Sequence, residues 1–243
     1  MVESGIYSAP HKKCYFSRER NKFRSPTINK LKALLLDFGS VISKSLFERM
    51  PQVERRLGLP AGHFPWRGAL DPDSDPLWMQ MQRDEITERE YWRIRAAEIG
   101  KTIHFDDWNF IDLMNYVKDQ KYAAILRPEA LRAIKKCKAA GIKVGILSNE
   151  LELFYGKKWL DNLPFMPEMD CFFDATTHNI LKPDPRAYQM PMDALGLPAK
   201  DILFVDDQLR NIAGAQRVGM RTLHFDISQP KACFKYVEQV MIR

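Results

Sequence analysis

Several things are scarce or missing in this 243-residue chain. No stretch approaches the roughly 18 uninterrupted apolar residues of a membrane span, and the start lacks the apolar segment of a secretory signal, so the expectation is a cytoplasmic protein with no membrane partner. The four cysteines (Cys14, Cys137, Cys171, Cys233) are far apart in sequence and show no CxxC or Cys/His spacing, which excludes a legible disulfide framework or zinc site. His63, His104, His178 and His224 likewise form no metal-spaced set. No G-x-G-x-x-G follows a strand, so hydride chemistry on a dinucleotide has no support. Charge of one sign is scarce as well, once it is located. The formal net charge is +6, but residues 1–30 carry seven Lys or Arg against Glu3 and Glu19, leaving 30 basic and 29 acidic residues for the rest. A near-neutral body offers no electrostatic footprint for nucleic acid.

What is present is enough apolar residue, 45% of the chain, for a full core. Residues 1–30 have no hydrophobic periodicity and read as a basic, disordered or loosely attached leader, with Glu3 and Glu19 arguing against a transit peptide. From Leu31 the pattern changes. LKALLLDFGSVI is a short apolar run that stops at an acid, as a buried parallel strand does when it empties into a loop. The same grammar recurs in IKVGILSNE (142–150), after the helical stretch RPEALRAIKKCKAAG, and in DILFVDDQ (201–208). DPRAYQMPMDALGL reads as a helix that Pro191 must kink or end. NIAGAQRVGM reads as helix and RTLHFD (221–226) as a further strand. Strands alternating with helices predict an α/β fold, a Rossmann-like parallel sheet with helices on both faces. Between Ser43 and about Ile125 the spacing is helical throughout, and four of the five tryptophans fall there (Trp66, Trp78, Trp92, Trp108). The predicted organisation is a core of residues 31–46 and 126–243 interrupted by an all-helical insertion, 47–125.

In an open parallel sheet, ligands sit beyond the carboxyl ends of the strands. There the sequence places Asp37, Ser148 with Asn149, and Asp206 with Asp207, while Lys182 lies in the loop ILKPDP between the last two groups. Each has an ordinary explanation taken singly: a turn or helix cap for the acids, a solvated loop residue for Ser148, Asn149 and Lys182. Together, carboxylates gathered at one point repel unless a cation joins them, and Mg²⁺, which prefers oxygen ligands, suits such a set.

In order and spacing the four segments LLLDFGSV, VGILSN, LKPDP and FVDDQLRN, with GAxxxGM after the last, resemble the motifs of the haloacid dehalogenase superfamily over residues 31–226. The resemblance implies roles. Asp37 would be the nucleophile, forming an aspartyl phosphate, and would also hold Mg²⁺ together with the Gly39 carbonyl and Asp207. Ser148 and the Asn149 amide would hydrogen-bond phosphoryl oxygens, and Lys182 would neutralise charge developing in the transition state. Asp206 and Asn211 would hold the metal's waters or the adjoining loop. The insertion would be the family's helical cap, with Trp66, Arg67, Trp78 and Arg83 as candidate substrate contacts, although for any one tryptophan packing within the cap is the more ordinary role. A monomer or homodimer acting on a small phosphorylated molecule is expected.

One departure matters. The second acid of the family's first motif is replaced by Gly39. In the family's phosphatases that acid usually protonates the leaving oxygen, and general acid–base help of this kind is worth about 10²- to 10⁴-fold. A D-x-G-x-V first motif also looks like that of a subgroup of sugar-phosphate phosphatases, which favours a phosphatase that takes its acid from elsewhere or uses an undemanding leaving group. Carbon–halogen hydrolysis is the alternative, since halide leaves without a proton, but that branch dispenses with metal and with the Asp206–Asp207 pair. A degenerate domain that binds a phosphorylated ligand or a protein partner is the third reading.

Overall fold

The computed structural model describes residues 30–117 and 122–242; the basic leader up to residue 29, Cys14 included, lies outside them. Five strands, β1 (Ala33–Leu36), β2 (Lys143–Ser148), β3 (Cys171–Asp174), β4 (Ile202–Asp206) and β5 (Arg221–His224), form one sheet in the order β3-β2-β1-β4-β5. Every pairing is parallel, with Leu36 beside Ile146 on one flank and Val205 on the other. β1 is central and its neighbours come from both later halves of the chain, so its carboxyl end is the switch point where a crevice opens.

The chain's twelve helices among the described residues are α1 (Leu46–Arg56), α2 (Pro76–Gln82), α3 (Glu88–Thr102), α4 (Phe110–Val117), α5 (Tyr122–Ile125), α6 (Pro128–Ala139), α7 (Leu151–Tyr155), α8 (Lys157–Asp161), α9 (Ala175–His178), α10 (Pro185–Leu195), α11 (Leu209–Arg217) and α12 (Pro230–Met241). The three inner strands, β1, β2 and β4, are buried on both faces because each face has its own helices. Leu34 and Leu36 join Ile134 and Cys137 of α6 and Phe234 and Val237 of α12 in one cluster. Ala33 and Leu35, pointing the other way, join Tyr188 of α10 and Ile212 and Ala215 of α11. The alternation is the two-residue period of a strand, and it accounts for the uninterrupted apolar run Ala-Leu-Leu-Leu.

Two features go beyond what the sequence pattern settles. α10 does not end at Pro191 but runs through it to Leu195. Ala187, Tyr188, Pro191 and Leu195 form a buried stripe at helical spacing, and packing of that stripe offsets the backbone hydrogen bond that proline cannot donate. The edge strand β3 was not legible as a strand at all.

Residues 46–125 contain helices and short helical turns and no strand among those described. They carry a separate core in which Phe47, Met50, Trp66, Trp78, Tyr91 and Trp92 are buried together. Phe47 lies edge-on to Trp78 at 5.4 Å, and Phe64 is 4.7 Å from Trp66. α1 starts with a capping box, Ser45 accepting from the Glu48 N–H while the Glu48 carboxylate accepts from Ser45. The two segments that connect this helical layer to the sheet run side by side: Ser43 bridges to Leu126, and the Lys44 N–H donates to the Ile125 carbonyl. Arg127 clamps them, donating to the Ser40 carbonyl and to both carboxylate oxygens of Glu48. Among the described residues no helix is long and apolar enough to cross a membrane.

Candidate active site

β1 leads directly into Asp37, after which Gly39 and Ser40 leave helical geometry inside a wide turn, Ser40 at φ 62°. β4 ends in Asp206, with Asp207 next. Because these strands are adjacent and in register, their ends bring three carboxylates together: one oxygen from each of Asp37, Asp206 and Asp207 lies within 4.8 Å of the others. All three are buried. Lys182 reaches between them from the loop before α10, and its ammonium donates to Asp37 Oδ1 at 2.8 Å, Asp206 Oδ2 at 2.7 Å and the Leu147 carbonyl at 2.9 Å. The lysine thereby uses all three of its donors.

The surroundings of Asp206 hold it as a fixed hub rather than an open ligand. Asn211 donates to both of its oxygens, and the Gln208 N–H donates to Oδ1. Asn149 clasps the lysine loop from the other side, donating from Nδ2 to the Lys182 carbonyl and accepting the Lys182 N–H at 2.7 Å. Its side chain is therefore spent on the loop. Gly214, within GAxxxGM, is where α11 meets that loop: a Cβ there would stand 2.6 Å from the Tyr188 hydroxyl and 2.9 Å from Pro183 Cβ, so only glycine permits the approach.

The electrostatics show which groups lack compensation. Burial pushes the Asp37 carboxyl up to about 7; the Lys182 ammonium opposes this and the Asp206 charge adds to it. Asp207 is held well above the usual carboxylate range by burial, Asp206 and Asp37, with a Ser40 hydrogen bond working the other way. For Lys182, burial favours the neutral form, but Asp206 and Asp37 outweigh it and hold the ammonium charged. Three carboxylates face one ammonium, and the two acids not dedicated to holding the scaffold are the ones that resist ionisation. An all-oxygen set with unrelieved negative charge fits a hard divalent cation, with Asp37 and Asp207 as the available ligands and the Gly39 carbonyl close by in sequence.

A cavity of about 660 Å³, open to solvent, lies against this cluster. The sheet side contributes Asp37, Gly39, Ser148, Asn149, Lys182 and Asn211; Asp206 and Asp207 are not on its wall. The helical layer contributes Glu88, Trp92 and Met114, and the turn after β2 contributes Glu150, Phe154 and Tyr155. Four expected substrate contacts are not among the lining residues. Trp66 and Trp78 are buried in the layer's own core. Arg67 is exposed, and Arg83 points to solvent, paired with Glu85. Which face of the layer meets the cavity follows from how it docks on the sheet, and it is the starts of α1 and α3 and the middle of α4 that do so, through Leu46, Glu88, Trp92 and Met114. Glu150, which lines the cavity, sits two positions past Ser148 in the turn that carries Asn149.

A family model described as haloacid dehalogenase-like hydrolase matches residues 32–219. A phosphatase of Mycobacterium tuberculosis (strain CDC 1551 / Oshkosh) is 29% identical over 202 residues, 82% of this chain and 88% of that protein. An (S)-2-haloacid dehalogenase of Pseudomonas sp. (strain CBS-3) is 26% identical over 174 residues, 68% of this chain and 76% of that one. In fold, the crystal structure of a dehalogenase aligns with a TM-score of 0.52 and 23% identity, covering 80% of this chain and 84% of the other. With nearly the whole sheet and the helical layer inside the matched span, the chain belongs to the haloacid dehalogenase-like hydrolases.

Proposed function

We propose that the protein is a Mg²⁺-dependent phosphatase acting on a small organic phosphate through an aspartyl-phosphate intermediate. The observation that carries this reading is the convergence of Asp37, Asp206 and Asp207 beside the Lys182 ammonium. In this reading Asp37, Asp207 and the Gly39 carbonyl hold the metal, which when bound screens the phosphate's charge from the carboxylates. The Asp37 carboxylate attacks phosphorus and expels the leaving oxygen, and water then attacks the aspartyl phosphate to release inorganic phosphate. Ser148 and the Asn149 backbone N–H hold phosphoryl oxygens, while Lys182 offsets charge on the attacked group. Asp206 and Asn211 keep Lys182 and the strand end in place. Residues 47–125 act as a cap over the cavity, excluding water and shaping the substrate.

The relation to a phosphatase over most of both chains supports the reading. The relation to a haloacid dehalogenase and the missing acid at position 39 favour the second one, carbon–halogen hydrolysis. Against it stands the excess of carboxylates at the strand ends, which displacement of halide by a carboxylate does not require. The two separate in one assay. Purified protein with Mg²⁺ is expected to hydrolyse p-nitrophenyl phosphate, to stop when metal is chelated, and to stop on Asp37→Asn. Halide release at full rate in chelator moves the assignment to the dehalogenase reading, and no turnover above the Asp37→Asn background on phosphates or haloacids leaves a binding domain.

A further inference from the structure

Gly39 leaves a chemical gap at the site. An alkoxide expelled from phosphorus needs a proton, and the water that attacks next must lose one. Outside the carboxylate cluster and its lysine, the titratable side chains on the cavity wall are Lys44, Glu88, Glu150 and Tyr155. Lysine and tyrosine are ordinarily acids too weak to alternate between the two forms near neutrality. Glu88 is half-buried and engaged, accepting from Gln208 Nε2 at 3.2 Å and standing 3.8 Å from Arg210.

Glu150 differs in three respects. It is only 8% exposed, yet it lines the same cavity as Asp37 and Ser148. Its Oε1 accepts from Arg89 Nη2 at 2.6 Å, whereas Oε2 is buried with no hydrogen-bond partner among the described residues. Third, it has no structural task at the helix it precedes: its side chain makes no capping bond to α7, and the Glu152 N–H is taken by Asp174 instead. An ionised carboxylate with an orphaned buried oxygen is costly, and protonation lowers the cost. Burial and the neighbouring Glu88 charge hold this carboxyl above its ordinary range, Arg89 pulls it back, and Asp174 adds a smaller push upward. The terminal torsion of glutamate is soft and roughly two-fold, so either oxygen can present the proton.

We propose that Glu150 is the proton donor and acceptor of this site, standing in for the acid absent at position 39. The proposal rests on the aspartyl-phosphate reading above. As an Asp37 oxygen bonds to phosphorus and the bond to the leaving oxygen breaks, the Glu150 proton passes to that oxygen, giving the free alcohol and the Glu150 carboxylate. As water oxygen then bonds to phosphorus and the bond to Asp37 breaks, the water's proton passes to Glu150. Inorganic phosphate leaves, and both side chains return to their starting forms.

The test compares leaving groups, using the full chain with Mg²⁺. p-Nitrophenolate leaves without a proton, and a primary alkoxide does not. For Glu150→Gln, kcat/KM on an alkyl phosphate is expected to fall about 10²- to 10³-fold while the value on p-nitrophenyl phosphate changes less than about fivefold. Adding Gly39→Asp to that variant is expected to restore alkyl-ester hydrolysis at least tenfold. Equal losses on both esters would assign Glu150 a structural role and overturn the proposal, and wild-type rates on both would overturn it while leaving the phosphatase reading intact. If wild-type protein hydrolyses neither ester, that reading fails and the proposal with it. A surface variant guards against misfolding of Glu150→Gln. Arg89→Met removes the cation that draws Glu150 toward its ionised form, so the basic limb of the alkyl-phosphate kcat/KM profile should move to higher pH; an unmoved limb contradicts the assignment.

Discussion

Buried charge occurs in two regions of this molecule with opposite outcomes. In the helical layer, Asp75 is matched donor for acceptor. Its Oδ1 accepts from Arg95 Nη2 at 2.6 Å and the Trp78 N–H, and its Oδ2 from the Tyr91 hydroxyl and the Gly68 N–H. The Arg95 guanidinium lies 5.0 Å over the Trp66 ring and 5.1 Å over that of Tyr91. At the strand ends, three carboxylates share one ammonium, and two of them are held toward their neutral forms. Burial is common to both. What separates a structural ion from a candidate ligand is whether its charge is already answered by its neighbours.

The sharpest way to break this comparison is to remove one acid from each region. Asp75→Ala leaves the buried Arg95 guanidinium with only the more exposed Glu98 carboxylate and frees three other donors, and breaking a buried pair in this way costs about 3–5 kcal/mol. For a chain of this size that lowers the unfolding midpoint by roughly 6–20 °C, measurable by circular dichroism. Asp37→Asn, at a site that is also buried, is expected to leave the midpoint of the metal-free protein unchanged or higher, because it removes a charge the site resists. Similar losses from both substitutions would erase the distinction.

Metal and pH give a smaller effect with a definite sign. The Asp37 carboxyl is held at about 7, against 3.8 for an ordinary aspartate, and Asp207 is raised as well. Between those values the folded chain keeps protons that the unfolded chain has released. The metal-free fold therefore loses stability from these groups as pH rises through roughly 4 to 7. Mg²⁺ competes with the same protons, so its stabilisation, about 2.7 kcal/mol at a hundredfold excess over Kd, should be larger at pH 8 than at pH 5 in thermal melts. A shift of equal size at both values would argue that the ion binds elsewhere.

The strand-end region was far more legible in the sequence than the layer above it, for a physical reason. β1, β2 and β4 are covered on both faces, so they write continuous apolar runs, and the polar residues that end them stand out: Asp37, Ser148, Asp206. β3 is an edge strand of four residues with Phe172 and Phe173 half-exposed, too short and too weakly patterned to separate from a turn. Trp92 of α3 belongs to the layer's core and to the cavity wall at once. Periodicity therefore gave no hint that the cavity would take Glu88 and Trp92 rather than Arg67 or Arg83. Docking between two bodies is decided by contacts distant in sequence, which no local pattern records.

Two glycines carry the comparison to its smallest scale. In the helical layer, Gly68 sits at φ 45°, and a Cβ there would stand 2.0 Å from Phe47 Cζ, so Gly68→Ala must displace a core ring and is expected to destabilise the fold. Gly39, beside the nucleophile, has φ −60° and ψ 135°, an extended conformation open to any residue, and a Cβ there would meet only Asp37 Oδ2, at 3.8 Å. Nothing in the backbone or the packing asks for glycine at this position. Gly39→Ala should therefore shift stability by no more than about 0.5–1 kcal/mol, in the stabilising direction if the unfolded chain is stiffened, and should preserve hydrolysis of p-nitrophenyl phosphate. A large loss of that activity in a stably folded Gly39→Ala protein would mean that the space beside Asp37 Oδ2 is occupied during the reaction, and that the side chain is missing there because the substrate needs the room.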